Sequence, residues 1–155
     1  MLSISDDYLI GFVEGEGCFY VGVVPAKTAS FGWQIAPFFK VSQNPSGKVI
    51  LDKLKARLGC GYVKKNDAPA SSDRSLAYVV RDICDLHEKV IPFFERKLYV
   101  KRTSFETFST IVNGMYQKKH LTKHGFLQML DLSYSMNTGK RKFSKEHIAE
   151  SILTD

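Results

Sequence analysis

Tyr8-Leu9-Ile10-Gly11-Phe12-Val13-Glu14-Gly15-Glu16-Gly17 is the stretch around which the chain can be organised. Asp6 and Asp7 precede it, and carboxylates at a helix start accept orphan N–H groups and complement the dipole. Leu9, Phe12 and Val13 recur at a spacing of three to four, as an amphipathic helix requires. Gly11 and Gly15 are four apart and share one stripe. A glycine inside a helix costs about 1 kcal/mol relative to alanine. Close approach of a second backbone is the usual reason to accept that cost twice. Glu14 and Glu16 fall at the C-terminal end, where the dipole disfavours an anion, so a cation partner is expected. Gly17 can end the helix, and residues 18–24 continue as a strand.

Downstream, residues 31–43 give the longest strand signal. Trp33, Ile35, Pro37, Phe39 and Val41 form one face; Gln34, Ala36, Phe38, Lys40 and Ser42 form the other. Pro37 has no N–H, which predicts an edge or a bulge there. A turn at Asn44-Pro45-Ser46-Gly47 leads into a helix over 48–58, with Val49, Ile50, Leu51, Leu54 and Leu58 toward the core. Strands over 62–66 and 74–81 flank a loop over 67–73. Alternation in these strands predicts an antiparallel sheet with one open face. Helices are expected over 82–94, interrupted near Pro92, then 102–116, 122–136 and 144–153. The 102–116 helix turns Phe105, Phe108, Ile111 and Val112 inward.

The chain has 155 residues, one domain's length, and a net charge of +6. That balance favours a polyanionic partner. No apolar run approaches the ~20 residues of a membrane span, and no secretory signal is evident. Cys18, Cys60 and Cys84 are odd in number and lack a CxxC spacing, so reduced thiols in a reducing intracellular compartment are expected. His120 and His124 sit in a lysine-rich stretch and read as solvated rather than as metal ligands.

Leu9-Ile10-Gly11-Phe12-Val13-Glu14-Gly15-Glu16-Gly17 resembles the LAGLIDADG motif of homing endonucleases, and the resemblance extends over about residues 7–142. It implies an α+β fold with an αββαββα core, a curved antiparallel sheet forming a saddle, and additional C-terminal helices. We expect a single domain over 1–155, with a core at about 5–117 and a helical, basic region at about 118–155. The chain holds one copy of the motif. A lone glycine-striped helix is expected to pack against a second copy as a two-fold homodimer through Tyr8, Gly11, Phe12 and Gly15.

By the same resemblance, Glu16 is the catalytic acid and holds Mg²⁺, with the Gly15 carbonyl as a second ligand. Mn²⁺ would substitute, and Ca²⁺ would support binding without cleavage. Glu16 stands where the motif's name has aspartate, which adds a methylene to the metal geometry. Glu14 points about 200° away from Glu16 around the helix and is expected to cap or bond within the interface. Gln43 would order water near the metal. Lys97, in Pro92-Phe93-Phe94-Glu95-Arg96-Lys97, would neutralise developing phosphate charge or assist proton transfer, with Lys101 as the alternative register. Lys48 would substitute for a basic residue that some relatives carry at Gly47-Lys48.

Strand parity then assigns Tyr20, Gly22, Val24, Gln34, Phe38, Lys40, Lys64, Asn66, Ser75, Val79 and Arg81 to the DNA-reading face. Gln, Asn, Arg and Lys match base edges in the major groove. Lys118, Lys119, Lys123, Lys140, Arg141 and Lys142 are expected to hold phosphates. The implied activity is intron homing. One phosphodiester on each strand of a long, roughly palindromic double-stranded DNA would be hydrolysed across the minor groove. The alternatives are a group I intron maturase acting on intron RNA and a non-catalytic DNA-binding protein on the same scaffold. The implied compartment is a bacterial cytoplasm, chloroplast or mitochondrion.

Overall fold

In the computed structural model, residues 2–66, 74–136 and 139–154 are described. The loop expected over 67–73 and Asn137 and Thr138 of the basic loop lie outside them. Helix α1 spans Asp6–Glu16. Its N-cap is Ser5, whose hydroxyl accepts from the Tyr8 N–H at 3.1 Å. Asp6 and Asp7 occupy the first turn instead. Asp6 binds the Arg57 guanidinium at 2.8 and 2.9 Å, and that hydrogen bond holds its carboxyl below the usual range.

Gly17 is the helix C-cap, as expected, in an extended conformation (φ −83°, ψ 163°). The reason for glycine here is space. A Cβ would stand 2.6 Å from Val13 Cγ1 and 2.9 Å from the Val13 carbonyl. The chain therefore turns directly into strand β1, Gly17–Pro25.

Strands β2 (Trp33–Gln43), β3 (Tyr62–Lys65) and β4 (Leu76–Val80) complete an antiparallel sheet of order β1-β2-β4-β3. Pro37 faces Val21 of β1, and the β2–β4 pairing begins only at Phe39. On that side of Pro37 no ladder partner needs its missing N–H, so the edge expectation holds. Helix α2 (Lys48–Leu58) buries Leu51, Leu54 and Leu58. Val49 is 56% exposed, against expectation, because it falls on the opposite side of the helix from their stripe.

The helix expected over 82–94 is built of α3 (Ile83–Asp85), a π-helical turn at Leu86–Val90, and α4 (Ile91–Phe94). The wide turn directly precedes Pro92, whose ring crowds the preceding turn and removes one donor. Helices α5 (Arg102–Tyr116), α6 (Lys123–Ser135) and α7 (Lys145–Leu153) follow. No helix among the described residues is long and apolar enough to cross a membrane.

The core lies between the inner sheet face and the helices. Phe19 is its centre, with ring centroids of Phe39 and Phe105 at 5.1 Å, Phe108 at 5.3 Å and Phe94 at 5.7 Å. Each such pair adds about 0.5–1.5 kcal/mol beyond area burial. Gly114 lets Met129 of α6 press onto α5, since a Cβ would lie 2.4 Å from Met129 Cε. Trp33 donates to Ser151 Oγ at 2.9 Å and ties α7 to β2.

Arg141 is a structural clamp, which corrects its assignment as a phosphate contact. Its guanidinium donates to the Val21 carbonyl of β1 at 3.1 Å and to the Ser133 carbonyl of α6. Val21 is on the sheet's edge strand, and Ser133 is in the last turn of α6, where carbonyls lack helical partners. Replacing Arg141 with alanine should destabilise the fold by about 1–3 kcal/mol. Denaturant midpoints check this, and a loss below about 0.5 kcal/mol would show the clamp to be idle.

Candidate active site and nucleic-acid interface

Glu16 ends α1 with its carboxylate exposed. Gln43 ends β2, and the Gly17–Val41 pairing brings the two ends together. Gln43 Nε2 donates to Glu16 Oε2 at 3.4 Å. Gly47 makes room for this side chain. A Cβ there would fall 2.6 Å from Gln43 Oε1 and 2.9 Å from its Cβ. Sequence reading missed that role, since Gly47 looked like an ordinary turn residue.

Glu14 accepts the backbone N–H groups of Tyr99, Val100 (3.0 Å) and Lys101 (3.1 Å). Lys101 Nζ returns to the Glu14 carbonyl at 2.8 Å. Its bond is thus within the chain rather than across an interface. The reciprocal pair satisfies one orphan carbonyl of α1 and places the Lys101 ammonium at the Glu16 end of the helix.

Lys97 is placed elsewhere. Its Nζ lies 5.4 Å from the Phe93 ring, the ring that Arg57 also covers, and its charge is felt by Asp6. That is the N-terminal end of α1, a helix of 11 residues, or about 16 Å at roughly 1.5 Å per residue. The structure brings Glu16 and Gln43 together, holds Lys101 on the last turn of the same helix through Glu14, and places the Lys97 ammonium beside Phe93. Lys48 is also diverted, paired with Asp52 at 2.7 Å along α2.

Each residue assigned by strand parity to the reading face lies on the outer sheet face or its flanks. Tyr20 opposes Phe38, Gly22 opposes Ala36, Val24 opposes Gln34, and Lys40 opposes Val79, which in turn opposes Tyr62. Directly opposed residues share a face. Val79 is the exception in access. It is 0% exposed between Lys40 and Tyr62, so it cannot touch a ligand. Lys64 is exposed, and Arg81 follows β4, exposed. Asn66 donates to Ser42 Oγ at 3.3 Å and Ser75 Oγ at 2.9 Å, so its amide is partly spent within the protein. Lys140 and Lys142 are exposed. His120 is not solvated as expected. It is half-buried, with Nδ1 unpartnered and its pKa lowered by burial.

On α1, Tyr8 is 54% exposed and Phe12 half-buried, and a Cβ at Gly11 or Gly15 would meet nothing within 4 Å. The glycine stripe is therefore open within one chain.

A divalent metal fits the Glu16 end in donor chemistry. A carboxylate and helix-terminal carbonyls are hard oxygen donors. No group of three or more His, Cys, Asp or Glu that could hold a metal occurs among the described residues. Among the described residues, Glu16 supplies the exposed carboxylate at this point.

The family model described as LAGLIDADG endonuclease matches residues 9–112. A probable intron-encoded endonuclease 2 from Neurospora crassa is 28% identical over 147 residues, 92% of this chain and 31% of that protein. The chain spans about a third or less of the first curated relatives it matches. The crystal structure of a homing endonuclease, I-TnaI, superposes with a TM-score of 0.82 at 34% identity, covering 99% of both chains. I-SmaMI, bound to uncleaved DNA target in the presence of calcium ions, superposes with a TM-score of 0.82 at 25% identity. That match covers 90% of this chain and 47% of the other.

Proposed function

Because this chain belongs to the LAGLIDADG endonuclease family, we propose that it is a divalent-metal-dependent, site-specific endonuclease of double-stranded DNA, of intron-homing type. The observation that carries this reading is the meeting of Glu16 and Gln43 at the exposed end of α1, beside an open glycine stripe. Two copies joined through Tyr8, Gly11, Phe12 and Gly15 put two Glu16 carboxylates side by side. The match to about half of the I-SmaMI chain supports such a pairing, since one chain there has the length of two units.

Glu16 and the Gly15 carbonyl would hold Mg²⁺, and a bound metal would supply Lewis-acid polarisation of the phosphate and an acidified water. Gln43 orients water beside the carboxylate through its amide. Lys101 balances phosphate charge at the same end of α1. Lys140 and Lys142 steady the DNA backbone, while the outer sheet face meets the major groove.

The test is cleavage selection from a randomised duplex library with Mg²⁺ and, separately, Ca²⁺. A near-palindromic cut site with Mg²⁺ and retention without cleavage in Ca²⁺ support the reading. Specific retention without cleavage under both ions would make the protein a binder. Neither outcome, with retention of intron RNA instead, would make it a maturase.

On the selected target, Lys101→Met should slow cleavage on the order of a hundredfold, the size of one removed charge-stabilising donor. Lys97→Met should slow it less than about tenfold, because its ammonium lies at the far end of α1. Single-turnover rates decide. The reverse order would return the role to Lys97.

A further inference from the structure

The outer sheet face carries a row of rings and guanidinium groups in contact, outside the cluster at the end of α1. The Arg81 guanidinium lies 4.7 Å from the Phe38 ring centroid. Phe38 is 5.2 Å from Tyr20. Tyr20 is 5.2 Å from the Arg141 guanidinium, which also lies 4.2 Å from Tyr134. Arg141 commits one donor on each terminal nitrogen to the Val21 and Ser133 carbonyls. The row is therefore anchored in backbone at one end and free at Arg81, which is exposed.

Contact with the Phe38 ring covers one side of the Arg81 guanidinium, and the exposed remainder leaves N–H groups open to a ligand. Among the described residues, no carboxylate forms an ion pair with Arg81. A fixed arginine with open N–H groups matches guanine, whose O6 and N7 accept its two parallel donors in the major groove. Apolar rings beside it suit a thymine methyl.

We infer that Arg81 reads a guanine, that Phe38 and Tyr20 hold its guanidinium in the reading plane, and that Arg141 is the positioning residue fixing the row. This rests on the DNA-cleavage reading above. It also gives a location. Phe38 and Gln43 are five residues apart on β2, about 17 Å at roughly 3.3 Å per residue. At about 3.4 Å per base step, the guanine lies on the order of five base pairs from the cut in each half-site.

The experiment is cleavage selection from the randomised duplex library with wild type, Arg81→Ala, Arg81→Lys and Arg141→Lys. Wild type is expected to enrich guanine at one position near that distance. Arg81→Ala and Arg81→Lys should each lower that preference roughly tenfold to a hundredfold while other positions keep theirs. Arg81→Lys keeps the charge, so the salt dependence of binding should not change. Arg141→Lys should blur the same position, again with the salt slope intact, since the charge is kept.

A defined cut site without guanine near that distance, or one whose guanine survives both Arg81 variants, overturns the inference and leaves the nuclease reading standing. A uniform loss across the target does the same. A wild type that cuts no duplex overturns both.

Discussion

Replacing Glu16 by glutamine should slow cleavage by at least about a thousandfold and leave the fold and duplex binding in place. The magnitude is that of losing a metal-holding charge, several kcal/mol at about 1.4 kcal/mol per tenfold. The fold is spared because the Glu16 side chain is exposed and its hydrogen bond within the chain is the 3.4 Å one from Gln43. Glutamine keeps the shape and loses the charge. Binding should hold or tighten, since a carboxylate facing phosphates is removed. Single-turnover cleavage and gel retention on the selected target check both halves. Cleavage within tenfold of wild type would take Glu16 out of the reaction.

The second large effect is on assembly. Gly11→Leu should stabilise the isolated chain yet separate the two copies. Within one chain the added side chain meets open space. Leucine in a helix interior is favoured over glycine by up to about 1 kcal/mol. Between two copies, the same side chain blocks the close approach that the glycine stripe permits. We expect the dimer dissociation constant to rise on the order of a thousandfold and cleavage to fall with it, while the melting temperature of the separated chain does not drop. Sedimentation and thermal melts read the two effects separately. A Gly11→Leu protein that stays dimeric and active would place the second copy elsewhere.

Much of this was legible in the sequence, where local patterns are strict. The 3.6-residue period fixed α5 with Phe105, Phe108, Ile111 and Val112 inward, and all four are buried. The period of two set the faces of β2, and register carried that parity across β1 and β4. What failed depended on geometry that no period encodes. Between α4 and α5 the chain passes through Arg96 at φ +60°, so spacing from Pro92 did not tell which lysine turns toward Glu16. Glu14 decides that by gathering three successive N–H groups. Arg141 looked like a phosphate contact because it sits in a basic run. Its partner Val21 is 120 positions away. Val79 has the right parity but lies in an interior strand between two long neighbours, and parity does not report coverage.

Two copies joined along α1, as proposed, place two Glu16 carboxylates at one cleavage point. Sedimentation equilibrium of the wild-type chain at micromolar concentration is the test. About twice the 17.5 kDa chain mass is expected, falling to the single-chain mass for Gly11→Leu. A wild-type chain that sediments at its single-chain mass, alone and on its target duplex, would contradict it.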